Sequence, residues 1–392
     1  MDRLLNVYNR VNIHFESGDG SWLFDADGNR YLDAYSGIAV SILGHNYPAV
    51  TKTIQQQAAK LLHASNFVQV PQQNVLADKL ISLTGFEGQV FFNNSGAEAV
   101  ETAIKLAHLY AHSKNIESPK IVVVDSAFHG RTMGTISAGG SAKSREGFAP
   151  FLPGFVRIKY NDPDAFAAAV AADPDIVAIL VEPIQGEAGV NVPSPDYLNK
   201  IRKICDDHNI LMMLDEVQTG VGRTGKFFCY EYNKILPDVI TLAKGLANGI
   251  PIGACIIRAP YCHLFKPGSH GATFGGNPLS CATAITTVDE VIKHQWHTNA
   301  AEQGKKLLEG LKQALADNPH VVAIRGLGLM VGVELDRECL DIIPIALKHG
   351  VIFNIARLNT LRILPPLIYT DAQTQQLIDT IPLLINEFYQ NL

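Results

Sequence analysis

The chain has 392 residues and a formal net charge of −6, with 47% hydrophobic and 18% charged residues. That is enough for two domains, or one large domain with a lobe, and the acidic balance without lysine or arginine blocks excludes a nucleic-acid field or a basic membrane-binding surface. Six cysteines stand singly with no CxxC pair, which argues against zinc or a disulfide framework, so no metal is expected.

The first residues are polar from Asp2 onward and lack the apolar stretch of a secretory signal. No run reaches the roughly 18 apolar residues of a membrane helix, so a cytoplasmic protein is expected. Residues 20–35 alternate apolar and polar positions around Asp27-Gly28-Asn29, which predicts a β-hairpin with a positive-φ turn. From about residue 75, short apolar runs at 89–93, 120–125, 175–183, 210–216, 239–244 and 253–258 are separated by stretches of helical spacing such as 96–112 and 195–208. This alternation predicts an α/β fold with a mainly parallel sheet covered by helices on both faces. Ligands collect at the carboxyl ends of such strands, where Asn93, Asp125, Glu182, Asp215 and Lys244 fall. After Pro278 the pattern is helical to about residue 317, then returns to short strands before a last amphipathic helix. We expect residues 1–55 and 285–392 to build a smaller α+β lobe, and residues 56–284 a large domain.

Taken in chain order, the first candidate site element is residues 91–110. A strand, a small-residue turn and a helix follow one another, with Ser95 as N-cap and Glu98 placed to complete a capping box. Gly96 and Ala97 leave the first helical amides unobstructed, which suits a phosphate, although a merely well-capped helix has the same sequence. Next, Phe128-His129-Gly130-Arg131-Thr132 follows an apolar run. Phe128 is either core packing or a platform for a flat ring, and Arg131 either a surface ion pair or a two-pronged carboxylate clamp. Glu187 lies between two glycines, which predicts an exposed loop.

Residues 214–225, LDEVQTGVGRTG, place Asp215 at the end of one apolar run, and Lys244 ends the next. A lone lysine there is ordinarily a snorkelling surface group. Paired with Asp215 it has the chemistry of a pyridoxal phosphate enzyme. The lysine amine condenses with the cofactor aldehyde, and the carboxylate keeps the pyridine nitrogen protonated so that the ring accepts electrons. Gln218 is placed to donate to the phenolate oxygen and Val217 to pack on the ring face opposite Phe128. In residues 270–278 the glycines suit a close backbone approach, and Thr273 supplies a hydroxyl for a second phosphate contact. Arg362 alternates outward from apolar neighbours, as a solvated strand residue or a second clamp. His45 and His129, the histidines nearest these motifs, are expected to be structural rather than general bases.

Together, GSWLFDADGNRYLDAYSGIAVSILGH, NNSGAEAVETAIKLA, FHGRT, EPIQGEAGV, LDEVQTGVGRTG, TLAKGLANGIPIGA, HGATFGGNPL and LRILPPL resemble, in order and over nearly the whole chain, the class III, fold-type I pyridoxal phosphate aminotransferases. The resemblance implies a seven-stranded sheet in the large domain and a homodimer with shared active sites. It implies Lys244 as the cofactor-linked lysine, Asp215 at the pyridine nitrogen, and Gln218 at the phenolate oxygen. Phosphate would be bound by Gly96 and Ala97, and by Thr273 from the neighbouring subunit, with Phe128 stacked on the ring. Arg131 and Arg362 would hold substrate carboxylates, with Glu187 as the switch that neutralises Arg362. The implied reaction moves the terminal amino group of N2-acetylornithine to 2-oxoglutarate; ornithine, 4-aminobutyrate and succinylated amines are alternative donors. Two departures from the pattern lie toward the substrate: Ala272 where serine is usual, and Phe67 and Val68 where a tyrosine pair is usual.

Overall fold

The computed structural model describes residues 3–391. Strands β1 (Phe15–Asp19), β2 (Trp22–Asp25) and β3 (Arg30–Asp33) form an antiparallel meander. The expected turn is present, with Gly28 at φ +80° and the Asp25 carboxylate accepting from the Asp27 and Asn29 amides.

The central sheet comprises β4 (Gly88–Asn93), β5 (Lys120–Val124), β6 (Phe155–Ile158), β7 (Ile176–Val181), β8 (Leu211–Asp215), β9 (Val239–Leu242) and β10 (Gly253–Arg258). Its order is β4-β10-β9-β8-β7-β5-β6, and β10 runs against both of its neighbours. The remaining pairs are parallel. Strands β7, β8 and β9 are buried throughout because helices cover both faces, which is why they are written as unbroken apolar runs. The helix Gly96–Ser113 buries Ala99, Val100, Ala103, Ile104, Leu106, Ala107, Tyr110 and Ala111, a stripe at three- and four-residue spacing. Strand β6 has no counterpart among the expected runs. Its four residues, FVRI, carry an arginine whose guanidinium donates to the carbonyls of Val124, Ser137 and Ala138.

The helical stretch after Pro278 is two helices, Pro278–Lys293 and Trp296–Ala314, broken at Gln295 with φ +53°. Beyond them lie β11 (Val321–Leu327), β12 (Met330–Leu335), β13 (Val351–Ile352), β14 (Asn354–Ala356) and β15 (Thr360–Ile363), then the helix Asp371–Gln390. Strands β11, β12, β15 and β14 form an antiparallel sheet, whereas β13 joins β3 in parallel. The N-terminal meander and the C-terminal region thus share one sheet.

Between β3 and the helix Pro48–Ala58 the backbone makes a left-handed turn. Ser36, Gly37, Ile38 and Ala39 have φ of 43°, 62°, 65° and 60°. Such a turn costs L-residues roughly 1–2 kcal/mol each and survives only where neighbours fix it. Here the Ser36 amide donates to Asp33 Oδ1 (2.6 Å) and its hydroxyl to the Leu364 carbonyl (2.5 Å). Arg223, fully buried, donates to the same hydroxyl and to the carbonyls of Leu329 and Pro365. A guanidinium from the segment after β8 therefore ties together three segments from either end of the chain.

Candidate active site

The carboxyl ends of β4, β8 and β9 open into a cavity of about 460 Å³ lined by Ser95, Gly96, Ala97, Phe128, Asp215 and Lys244 among others. Ser95 caps its helix, accepting from the Glu98 amide (3.2 Å), while Glu98 turns back to the Asn94 amide (2.8 Å). The acid is thereby folded onto its own backbone rather than opposing an anion. Gly96 is required by packing: a Cβ there would stand 2.8 Å from Val217 Cγ1. Gly130, at φ +137°, passes so close to Ala97 that a Cβ would lie 2.6 Å from the alanine's own. The first turn of the helix and the 128–132 loop are pressed together around the cavity.

Asp215 is buried at the end of β8. Its Oδ2 lies 2.7 Å from His129 Nδ1, and its Oδ1 accepts from the Val217 amide (3.1 Å) and the Thr241 hydroxyl (3.3 Å). His129 is itself buried, and its Nε2 has no hydrogen-bond partner among the described residues. His129 thus has the structural role expected of it, although its Nε2 is left unpaired: it orients the carboxylate that faces the cavity. His45, bound to Asp33 Oδ2 at 2.7 Å, likewise braces the N-terminal segment as expected.

Glu182 follows β7 and accepts from the Phe128 amide (2.9 Å). Burial, reinforced by Asp215, pushes its carboxyl up to about 7, against the opposing pull of His129, that amide and Lys244. Between pH 4.5 and 7 the folded chain then holds a proton that the unfolded chain has released, so stability falls as pH rises through this window. Glu182→Gln is expected to flatten the decline in urea-unfolding free energy across these pH values; an unchanged slope would contradict the assignment.

Lys244 follows β9 at φ +41° and opens a short turn, Lys244–Ala247. Gly245 lets that turn press on Ile42, and Asn248 clamps it by accepting from the Leu43 amide (2.8 Å) and donating to the Gly44 carbonyl (3.1 Å). Burial lowers the amine's pKa and Arg362 adds to this, outweighing the nearby carboxylates.

Arg362 on β15 is 1% exposed, so the outward-facing, solvated placement is wrong: the strand's outer face is covered by the 183–190 loop. Its Nη1 meets Glu187 Oε1 at 2.5 Å and its Nε donates to Asn354 Oδ1 at 3.1 Å. Glu187 is likewise not on an exposed loop. Burial works against its charge, but Arg362 outweighs it, with help from Lys244 and Gln218, and holds the carboxyl below its usual range. Arg325 straps this loop down through the carbonyls of Gly189 and Val190, a role with no local signal in the sequence. Gln218 is buried, with its Oε1 unpaired among the described residues. Arg131 stands exposed at the cavity mouth, its guanidinium carbon 5.6 Å from the Phe128 ring centre.

Four expected residues are not among those lining this cavity: Glu187 and Arg362, which pair with each other near Lys244, and Ala272 and Thr273. Ala272 and Thr273 lie on the 266–276 segment, where Thr273 faces solvent. The Asn66 amide holds that segment through the carbonyls of Ala272 and Gly275, both at 3.0 Å, beside an almost fully exposed Phe67.

The Aminotransferase class-III family profile matches residues 6–385. The chain belongs to the class III aminotransferases. It is an aminotransferase of a class that depends on pyridoxal phosphate. Among its relatives, acetylornithine aminotransferase from Nitrosomonas europaea is 45% identical over 391 residues, covering 100% of this chain and 99% of that one. The class III fold also matches N-acetylornithine aminotransferase from Stenotrophomonas maltophilia, with a TM-score of 0.85 and 31% identity over 98% of each chain. The ornithine aminotransferase of Toxoplasma gondii, solved with partial occupancy of the cofactor at its active site, superimposes with a TM-score of 0.96. That pair is 32% identical over 99% of this chain and 93% of the other.

Proposed function

We propose that the cavity holds pyridoxal phosphate and that the enzyme moves the terminal amino group of N2-acetylornithine to 2-oxoglutarate, giving N-acetylglutamate semialdehyde and glutamate. The observation that carries the reading is the convergence of Lys244 and Asp215 on one cavity, with the Arg362–Glu187 pair near enough to act on the Lys244 charge. The donor set fits the cofactor. Asp215 has a carboxylate fixed by His129, the Gln218 side chain lines the same cavity with an amide group able to donate, and Gly96 and Ala97 open a helix N-terminus suited to phosphate. When bound, pyridoxal phosphate supplies an aldehyde for amine condensation and an electron-withdrawing ring.

The chain's own residues do the rest. Lys244, whose ammonium form burial disfavours, is the group placed to take a proton at Nζ and return it. With the cofactor bound, Asp215 would hold positive charge at the ring nitrogen, Phe128 and Val217 would pack on the ring, and Ser95 and Gln218 would complete its contacts. Acetylornithine reacts at its terminal amine, so its carboxylate is remote and reaches Arg131, while Glu187 neutralises Arg362. 2-Oxoglutarate carries a carboxylate beside its reacting carbon, which needs Arg362 freed from Glu187, and its far carboxylate reuses Arg131. Thr273, outside its own chain's cavity, would serve a partner's site in a homodimer. A cytoplasmic location and the division into 1–55, 56–284 and 285–392 are part of the same reading.

A second reading, free ornithine as donor, is favoured by the higher superposition on the Toxoplasma enzyme and by the hydroxyl missing at Ala272. A coupled assay with 2-oxoglutarate separates the two. We expect kcat/KM for acetylornithine to exceed that for ornithine by roughly tenfold or more. A preference for ornithine would overturn the first reading.

A further inference from the structure

His270 is not used by the reaction described above, yet its surroundings are unusually determined. Its ring lies between Phe91 (centroids 4.6 Å) and Phe265 (5.8 Å, stacked). Its Nε2 is 3.0 Å from Thr102 Oγ1, and its Nδ1 is 2.9 Å from Lys105 Nζ. Thr102 already donates its hydrogen to the Glu98 carbonyl (2.9 Å), so it accepts from His270. Lys105 has donors alone, so Nδ1 must accept. The network assigns one state: a neutral imidazole with the proton on Nε2. Burial and Lys105 both disfavour the cation, against Glu101 and Glu98.

Both anchors sit on the helix Gly96–Ser113, whose first turn lines the cavity. Lys105 also donates to the Ser269 carbonyl (3.0 Å), fixing the chain just before His270. At the far end of the segment, Gly275 fits tightly under the Phe92 carbonyl and Asn66 holds Ala272 and Gly275. Gly271 and Thr273 lie between these two attachments, and Gly271 has open space where a side chain would stand.

We propose that His270 is a positioning residue: it pins the 270–275 loop to the phosphate-side helix so that Thr273 is presented to the partner subunit's cofactor. The proposal rests on the reading that Thr273 acts across a dimer. His270→Phe keeps the ring stack and removes both hydrogen bonds; His270→Asn restores an acceptor for Lys105. In holoenzyme diluted into a cofactor trap, loss of the pyridoxal phosphate absorbance is expected about tenfold faster in the Phe variant, and within about threefold of wild type in the Asn variant. The apoproteins should unfold within about 2 °C of one another. No acceleration in the Phe variant, or equal acceleration in both, overturns the pin. Thr273→Ala distinguishes the layers. Acceleration there but not in His270→Phe removes the pin alone, whereas no acceleration in Thr273→Ala removes the shared-site reading and the proposal with it.

Discussion

Lys244→Ala is expected to lower turnover of acetylornithine with 2-oxoglutarate by about 10,000-fold or more while leaving part of the cofactor affinity intact. The substitution deletes the one lysine lining the cavity among the described residues, yet leaves the carboxylate of Asp215 and the helix that begins at Gly96 in place. Those groups act on the ring nitrogen and the phosphate, so spectroscopic titration should still detect binding. Borohydride reduction of the wild-type holoenzyme followed by peptide mapping should place the label on Lys244. Near-normal turnover in the alanine variant, or a label elsewhere, would refute the assignment.

Arg362→Leu is the second severe change. The guanidinium is buried and bonded to both Glu187 and Asn354, so its removal strands a carboxylate and withdraws the group that recognises an α-carboxylate. Removing the charged partner of a buried, hydrogen-bonded carboxylate costs about 2–5 kcal/mol of binding, which corresponds to roughly 30- to 1,000-fold or more in kcat/KM for 2-oxoglutarate. Single-turnover rates resolve the two half-reactions, and the donor half should suffer far less, because acetylornithine keeps its carboxylate away from the reacting amine. An equal loss in both halves would mean that Arg362 serves the fold rather than acceptor recognition. Because Glu187 is held below its ordinary titration range, its pairing with Arg362 should persist into mildly acidic solution.

The central sheet was legible because two-sided burial leaves a plain trace. The runs ending at Asn93, Asp215 and Lys244 are apolar at most positions, and each proved to be a strand; Asp215 and Lys244 line the cavity, whereas Asn93 donates to the Glu98 carbonyl and Thr102. Strand β6 was not legible, since four residues containing Arg157 carry too little periodicity. Burial of Arg362 and Glu187 was missed for a different reason. Local alternation reports which face of a strand a residue occupies, but not what later covers that face, and here the cover comes from a loop 175 residues away. The partner of His129 was not legible, because Asp215 is 86 residues distant. The left-handed turn at Ser36–Ala39 likewise depends on Asp33, Leu364 and Arg223, not on its own composition.

Strand β10 is the one reversed member of the central sheet, and it lies between the earliest strand, β4, and the late strand β9. On the ribosome, β4 therefore emerges with its hydrogen-bonding edge open and waits about 160 residues for its partner. Long waits of this kind are when nascent chains aggregate. Slowing synthesis or supplying chaperones is therefore expected to change how much of the chain folds without changing how stable the folded enzyme is.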